Sequence, residues 1–355
     1  MLLRMLTART GQAGVRTATP RVNPRIFAVA VMNAILGAVV AVVIFPIAWS
    51  ADADRNLAAG RALADGTFGQ DHTYLYAPLA AALTLPIALA LPYGLAIGGW
   101  LVARLAVLAG GLARQTRGLS MPDRILLAVA AISFVPTMYD LLLGNVSILI
   151  AAVVAVVAWS EDGYLPGLPM GLLLATIPKP ALIPVLIWML VFRRRAFLSA
   201  IGSAAILSAI ALIALGAPAY GAWLQVLLHP YYLGTQQLGN MALGALLPAA
   251  LSWPLTALTV VATLIALRRG ETPGFIACLC AGLLIAPYTM AYGAVLLLLA
   301  VAPLARVAPA RTFALAITGS LGVIIFLPLW VGAIFMTTLA VPRPAWAGLH
   351  QGAAT

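Results

Sequence analysis

Long apolar runs, separated by short polar turns, recur along most of the chain. Between Ile26 and Leu339 these runs are about 15 to 25 residues long, close to the roughly 20 residues of α-helix that cross a bilayer. The sequence lacks the alternation of polar and apolar residues that transmembrane β-strands require. The pattern therefore predicts an all-α fold, a polytopic bundle of transmembrane helices.

Composition supports the same interpretation. Of 355 residues, 63% are hydrophobic and 8% are charged, and the mean hydropathy is +1.06. Soluble domains contain about 25% charged residues, so membrane lipids must surround much of this chain. Neither an internal repeat nor a separate soluble domain is evident, and residues 1–355 are interpreted as a single integral membrane domain.

The arginines indicate how the helices are oriented. The net charge is +11, and most basic residues lie in residues 1–25 or in short turns, which is typical of cytoplasmic loops. Residues 1–25 are therefore predicted to be a cytoplasmic tail, whereas Arg55, Arg61 and Arg343 are predicted to lie outside. A basic surface interleaved with aromatic residues is not seen, so nucleic acid is excluded as a partner.

The apolar segment 77–92 decides the number of spans. It contains Pro86 and is short for a span, and if it crossed the membrane the arginines at 114–124 would face outside. It is therefore interpreted as a juxtamembrane helix on the outer face. About eleven spans then remain, near residues 26–49, 94–114, 125–142, 145–160, 165–178, 180–193, 197–216, 250–267, 274–287, 289–305 and 312–336.

Polar residues concentrate in two predicted extracytoplasmic loops, 50–92 and 217–248, whereas the inward turns carry arginines and little else. This asymmetry predicts a multi-pass plasma-membrane protein with a cytoplasmic N-terminus and an extracytoplasmic site. Cys278 and Cys280 lie two residues apart in an apolar helix and are interpreted as packing residues. The three histidines lack the spacing of metal ligands.

An acidic cluster marks the first of these loops. Four of the nine acidic residues, Asp52, Asp54, Asp65 and Asp71, lie between Trp49 and Pro78. A carboxylate just past a helix end at the membrane surface is a candidate general base, or a ligand for a metal or for sugar hydroxyls. The alternative is that these residues only solvate a loop. Spacing alone does not select Asp52 over Asp54.

Lys179, the sole lysine, lies between Pro178 and Pro180 within apolar sequence. An ionisable residue in such a position indicates function, and the flanking prolines break a regular helix. An ammonium group at this break fits a lipid phosphate, although it could also extend to the headgroups.

Three further regions leave alternatives open. Asp140 either binds substrate or caps a turn, and Arg104, in mid-span, is either its partner or a ligand contact. The 217–248 loop carries aromatic and amide residues that suit a sugar or an interfacial aromatic belt. The turn at 287–293 carries Tyr288 and Tyr292, whose hydroxyls either contact a ligand or satisfy the turn.

The order of these motifs resembles the GT-C superfamily of polyprenyl-phosphate-sugar glycosyltransferases. The motifs are Tyr76-Ala-Pro-Leu79, Gly144-Asn145, Lys179-Pro180, Arg193-Arg-Arg195 and a turn at Pro287. Within that superfamily the chain is most similar to glycosyltransferase family 87, the actinobacterial mannosyltransferase-like proteins, over about residues 26–305. The chain departs from the family pattern at its late turn, which lacks the usual Trp and His.

The resemblance implies a bacterial integral membrane enzyme of GT-C type with juxtamembrane helices on the outer face. It would transfer a hexose, mannose being the expected sugar, from a polyprenyl-phosphate donor to a lipid-linked or glycan acceptor, with inversion. The family pattern of an aspartate followed about fourteen residues later by glycine, here Gly66, favours Asp52 as general base, with Asp54 in reserve. Membrane lipids, the donor and the acceptor are the expected partners.

The remaining site assignments also follow from the resemblance. The predicted contacts to the donor phosphate are Lys179, Arg55, Arg61, Tyr292 and His229. The predicted contacts to the sugar or acceptor are His72, Tyr76, Asp140, Asn145, Gln236, Asn240 and Tyr288. No divalent metal is required, since basic side chains can hold a phosphate leaving group.

Two other functions remain open from the sequence. A transporter or flippase of a lipid-linked saccharide would favour internal repeats and helices broken near the membrane midplane. A non-catalytic scaffold would leave Asp52 and Lys179 among the lipid headgroups.

Overall fold

A computed structural model describes residues 50–69, 74–117, 121–228, 240–308 and 327–346. Throughout these ranges the regular secondary structure is helical, apart from an isolated bridge between Asn240 and Met290. The predicted all-α fold is confirmed. The predicted tail 1–25 and first span 26–49 lie outside the described residues, as do His72, His229 and Gln236.

Fifteen α-helices and two 3₁₀ segments form the described part of the chain. They are α1 (Ala51–Ala64), α2 (Pro78–Ala90), α3 (Tyr93–Gln115), α4 (Met121–Ser133), α5 (Val135–Leu143), α6 (Ser147–Trp159), α7 (Gly167–Thr176), the 3₁₀ segment Pro180–Leu182, α8 (Ile183–Phe192), α9 (Arg194–Leu215), α10 (Ala217–Leu227), α11 (Leu243–Leu246), α12 (Ala249–Arg269), α13 (Glu271–Ile285), the 3₁₀ segment Ala291–Leu297, α14 (Leu298–Val307) and α15 (Leu327–Ala340).

Helices α3, α9 and α12 are each long and apolar enough to cross a membrane. Helices α5 and α6 meet at 117° and would form a fourth, broken span. The long helices expose large apolar side chains, such as Ile213 and Leu258, as expected of surfaces that face lipid. The chain is therefore a helical membrane protein, and the count of about eleven spans stays a prediction.

Two predictions differ from the structure. The apolar run 125–142 is divided into α4 and α5, since Pro136 in the first turn of α5 has no N–H to continue the preceding helix. The second difference concerns Arg343, which was predicted outside while Arg268 was predicted inside. Arg343 Nη2 donates to the Arg268 carbonyl at 2.9 Å, so both lie at the same end of the bundle and that prediction was wrong.

Helix α13 forms the centre of the described fold. Every residue from Pro273 to Leu284 is buried, and the helix contacts α8, α12 and α15. Cys278 and Cys280 are buried, unpaired residues of this helix, as expected for packing. A Cβ at Gly282 would lie 2.0 Å from the Ala181 carbonyl oxygen, so glycine lets α13 approach the break beside Lys179 closely.

Helices α1 and α2 form a helix pair beside this core, with small hydrophobic clusters of their own. The Thr84 hydroxyl of α2 donates to the Asn56 carbonyl of α1 at 2.9 Å, and the two helices pack along their lengths. Helix α2 has 13 residues, fewer than the roughly 20 that a span needs. Its placement on the outer membrane surface stays a prediction, but its pairing with α1 fixes where Asp52 lies.

Candidate active site

Helix α1 begins against the break between α5 and α6. The Ser50 amide donates to the Leu142 carbonyl at 2.8 Å. Gly144, in the break, has a φ of 75°, and a Cβ there would lie 2.6 Å from the Ala53 Cβ. Only glycine adopts this left-handed conformation readily and also leaves room for Ala53 to pack directly against the backbone. The contact brings the first turn of α1, which carries Asp52, over the broken span.

Both carboxylate oxygens of Asp52 accept hydrogen bonds. Asn145 Nδ2 donates to Asp52 Oδ2 at 2.6 Å, and Arg55 Nη1 donates to Asp52 Oδ1 at 2.9 Å. The Asp52 side chain is 12% exposed and that of Arg55 is 52% exposed. The first turn of a helix favours a carboxylate because the helix dipole is positive there. Asp52 is therefore held in one orientation at the edge of solvent.

Ser147 fixes the orientation of the Asn145 amide. Asn145 Oδ1 accepts from the Ser147 amide at 3.2 Å and from the Ser147 hydroxyl at 2.9 Å. An oxygen that accepts two hydrogen bonds leaves the amide nitrogen to point the other way, towards Asp52. Asn145 and Ser147 are both buried, so this arrangement belongs to the rigid part of the site.

An ion pair between Arg104 and Asp140 stabilises the broken span beneath. Arg104 Nη1 lies 3.6 Å from Asp140 Oδ1, and it donates to the Asp140 carbonyl at 2.7 Å. Asp140 Oδ2 accepts from the Ser147 amide at 2.9 Å. The arginine thus caps the carbonyl end of α5, and the aspartate caps the amide end of α6. This supports the interpretation of Arg104 and Asp140 as partners.

Lys179 reaches the same region from the break between α7 and α8. The Lys179 backbone is extended, and its Nζ lies 5.3 Å from the centre of the Tyr292 ring. The Tyr292 ring in turn lies 5.9 Å from that of Tyr139. A cation above an aromatic face is held without neutralising its charge, so Lys179 remains able to bind an anion.

The segment from Tyr74 to Ala77 forms one wall. The Ala77 amide donates to the Thr176 carbonyl at 2.9 Å, and Trp223 Nε1 of α10 donates to the Leu75 carbonyl at 3.1 Å. Burial raises the pKa of the Tyr76 hydroxyl well above its usual range, and the charge of Asp52 raises it further. Tyr76 therefore keeps its proton and is able to donate a hydrogen bond.

Asn240 shapes the opposite wall. Its Oδ1 accepts from the Thr289 amide at 3.1 Å and from the Ala242 amide at 3.2 Å. The Met241 amide donates to the Thr289 carbonyl at 2.8 Å. These bonds hold the turn after α13, from which Tyr288 and Tyr292 project.

These walls enclose a cavity of about 670 Å³. Seven of the predicted site residues line it, namely Asp52, Arg55, Tyr76, Asn145, Lys179, Tyr288 and Tyr292. Apolar residues such as Ile150, Leu182 and Leu283 line the rest. A cavity with a carboxylate, two cations and an apolar portion suits an amphiphilic ligand with an anionic headgroup.

Four other predicted residues do not line this cavity. Asp54 Oδ1 accepts from the Tyr93 hydroxyl at 2.6 Å, and Arg61 Nε donates to the Ala88 carbonyl at 3.3 Å. Both therefore tie α1 to the helices behind it. Asp140 and Asn240 lie behind the walls that they stabilise.

Sequence reasoning missed Tyr74, Tyr139, Asn56 and Thr289, all of which line the cavity. Tyr139 directly precedes Asp140, and Tyr74 lies two residues before Tyr76, so both were adjacent to predicted positions. Ser147, which also lines the cavity, was missed as well. In the part of the chain that the structure describes, no three His, Cys, Asp or Glu side chains are grouped as metal ligands.

Comparison with known proteins identifies the family. The model of glycosyltransferase family 87 matches residues 74–328, which include Lys179, Asn145 and the turn at Pro287. Asp52 precedes the matched residues, so its assignment depends on the geometry described above. No curated protein and no solved structure matches the chain. Because the match covers most of the chain, this protein belongs to glycosyltransferase family 87.

Proposed function

We propose that this membrane glycosyltransferase transfers a hexose, with mannose as the expected sugar, from a polyprenyl phosphate to a lipid-linked or glycan acceptor. The observation that supports this proposal is that Asp52, Arg55 and Lys179 line one cavity. A carboxylate that can accept a proton stands there with two cations that can hold a phosphate. The reaction takes place on the extracytoplasmic face of a bacterial plasma membrane.

In the proposed reaction Asp52 is the general base. An acceptor hydroxyl attacks C1 of the donor hexose on the face opposite the phosphate, and its proton passes to Asp52. The new C1–O bond forms as the bond from C1 to the phosphate oxygen breaks, so the anomeric configuration inverts. Polyprenyl phosphate leaves with the bonding electron pair.

Lys179 and Arg55 would stabilise the charge that develops on the leaving phosphate. Lys179 is the better placed of the two, because Arg55 already donates to Asp52. Tyr292, whose ring lies beside the lysine ammonium, would position the cation. The apolar lining at Ile150, Leu182 and Leu283 would hold the first prenyl units, and the proposed steps do not require a divalent metal.

The test is transfer by the purified enzyme from polyprenyl-phosphate-mannose, comparing wild type with Asp52→Asn and Asp54→Asn. Asp52→Asn removes the base and is expected to lower transfer by at least about 10²-fold. Asp54→Asn makes the same change two residues away, at a side chain that does not line the cavity, and is expected to retain transfer.

Full transfer activity of Asp52→Asn would show that Asp52 is not the general base. If Asp54→Asn lost transfer activity while Asp52→Asn retained it, Asp54 would be the general base. Transport of an intact lipid-linked saccharide across a vesicle membrane, with no sugar transferred, would instead support a flippase.

A further inference from the structure

Asn56 lies in the cavity wall beside the proposed general base. It follows Asp52 by one turn of α1, and both residues line the cavity. Residues four positions apart project from the same face of an α-helix, with Cβ atoms about 5–6 Å apart. The Asn56 carboxamide and the Asp52 carboxylate therefore face the same part of the cavity.

The Asn56 carboxamide is unpaired although the residue is largely buried. Asn56 is 8% exposed, and its side chain has no hydrogen-bond partner among the described residues. Its backbone carbonyl accepts from the Thr84 hydroxyl at 2.9 Å, a contact that leaves the side chain unused. Unlike the enclosed Tyr74 hydroxyl, the amide atoms keep accessible surface. Native structures nearly always satisfy such a group with protein, water or ligand.

Asn145, another amide of the cavity wall, is in the opposite situation. Its Oδ1 accepts from Ser147, and its Nδ2 donates to Asp52 Oδ2. Both ends of the Asn145 amide are thus occupied by protein, which suits a residue that positions Asp52. The Asn56 amide, by contrast, is available to a ligand.

The chemistry of a carboxamide restricts what that ligand can be. The oxygen of the amide only accepts and its nitrogen only donates, so full pairing requires a ligand that does both. The phosphodiester of the proposed donor offers acceptors alone, and a prenyl chain offers neither. A hydroxyl group both donates and accepts. Among the parts of the proposed substrates, the sugar hydroxyls are therefore the groups that satisfy Asn56.

The geometry of inversion indicates which sugar lies there. The attacking hydroxyl belongs to the acceptor and must reach Asp52, whereas the phosphate leaves from the opposite face of C1. Lys179, the proposed phosphate contact, comes from the break between α7 and α8 and not from α1. Two neighbouring hydroxyls of a pyranose project side by side, as do the side chains of Asp52 and Asn56. The α1 wall therefore suits the acceptor ring.

We infer that Asn56 is a specificity-determining residue that hydrogen-bonds one hydroxyl of an acceptor sugar, next to the hydroxyl whose proton passes to Asp52. The acceptor is then a sugar with two neighbouring hydroxyls, and not an isolated alcohol of a lipid or of a protein side chain. This inference depends on the proposed transferase function, because it concerns the acceptor of that reaction.

The test measures kcat/KM for transfer from polyprenyl-phosphate-mannose to octyl α-mannopyranoside and to its monodeoxy analogues, by purified enzyme. Octan-1-ol, which has the same chain and a lone hydroxyl, is the control acceptor. NMR of the product identifies the attacked hydroxyl and hence the analogues that lack a neighbour of it. Wild type is expected to use one of these analogues about threefold to tenfold less well than the parent glycoside, and octan-1-ol less well still.

Asn56→Leu keeps the size of the side chain and removes its hydrogen-bonding groups. It is expected to lower kcat/KM for the parent glycoside by the same factor, with no further loss on the deoxy analogue, because enzyme and ligand then lack the two halves of one hydrogen bond. The donor KM should not change. Asn56→Ala should behave in the same way, and it decides the question if the leucine variant fails to fold. Gln115→Leu is the matched control, since it removes an amide that does not line the cavity.

Membranes incubated with labelled donor supply the natural acceptor, and Asn56→Leu is expected to lower their labelling about threefold to tenfold. Thermal unfolding of each variant shows whether a loss reflects folding. Unchanged labelling, a deoxy effect that persists in Asn56→Leu, or a wild type that uses octan-1-ol as well as the glycoside would overturn the inference. So would a higher donor KM with acceptor discrimination intact, which would place Asn56 at the donor sugar. Absence of transfer by wild type to every acceptor, membranes included, would instead contradict the proposed function.

Discussion

Asn145 Nδ2 lies 2.6 Å from Asp52 Oδ2, although the two residues are 93 positions apart in the chain. Ser147 donates to the oxygen of the same Asn145 amide. A chain of hydrogen bonds therefore connects Ser147, at the start of α6, through Asn145 to the Asp52 carboxylate. Asn145 was predicted to contact the sugar or acceptor. Its geometry equally suits a positioning residue for Asp52, and kinetics can separate the two roles.

Asn145→Ala is expected to lower kcat by about 10- to 100-fold, because a hydrogen bond to a charged group contributes about 1.5–3 kcal/mol. The donor KM should change little if Asn145 acts on Asp52. Steady-state kinetics with polyprenyl-phosphate-mannose provide the measurement. Ser147→Ala is the comparison variant. It should lower kcat less than Asn145→Ala does, because the Ser147 backbone amide still donates to Asn145 Oδ1. A rise in acceptor KM with kcat unchanged would assign Asn145 to the sugar instead.

Lys179→Met is expected to raise the donor KM about tenfold or more, because it removes a charged donor from the proposed phosphate site. Lys179→Arg keeps the charge and should retain more of the affinity, although its planar head fits the position less well. Tyr292→Phe, which keeps the ring beside the ammonium, is the matched control for the cation–π contact. An unchanged donor KM in Lys179→Met would place the phosphate elsewhere.

Arg104→Met is expected to destabilise the fold by about 3–5 kcal/mol, since it leaves the buried Asp140 carboxylate without its charge partner. It also uncaps the last carbonyls of α5. Thermal unfolding in detergent provides the measurement. Arg114→Met is the control, because Arg114 is exposed, and its guanidinium lies over the Trp159 ring and donates to the Trp159 carbonyl instead of pairing with a buried carboxylate. Equal stability of the two variants would show that the ion pair does not hold the broken span.

Gly144→Ala is expected to lower both stability and transfer, because the new Cβ would meet Ala53 and the left-handed backbone disfavours alanine. Gly98→Ala, in the middle of α3 with open space around it, is expected to be neutral or slightly stabilising. Unfolding temperature and transfer rate are measured on both. Wild-type behaviour of Gly144→Ala would mean that α1 does not need its close contact with the break.

The main helices could be predicted because hydrophobic length and charge are local properties of the chain. The predicted spans 94–114, 197–216 and 250–267 lie within a few residues of α3, α9 and α12. Prolines and arginine clusters marked most of the turns between them. The division of 125–142 into α4 and α5 was missed, because both sides of the break are apolar and Pro136 was taken to lie within a single span.

The candidate site was predicted in part for the same reason. A lysine between two prolines and aspartates that follow an apolar run can both be recognised from the sequence alone. Asp54 and Arg61 are as polar as Asp52 and Arg55, and only the face of α1 on which each lies distinguishes them. Tyr74 and Tyr139 were missed because a tyrosine near a membrane surface has many ordinary roles.

The sequence by itself determined that this is a helical membrane protein and which of its residues were ionisable in apolar surroundings. Those conclusions follow from the free energy of placing each residue in lipid, which depends on composition over one span. The tertiary structure alone decided that Asp52, Asn145 and Lys179 share a cavity and that Arg104 and Asp140 lie beneath it. Such pairings depend on close contacts between distant segments, such as Ala53 against Gly144, and no local pattern encodes them.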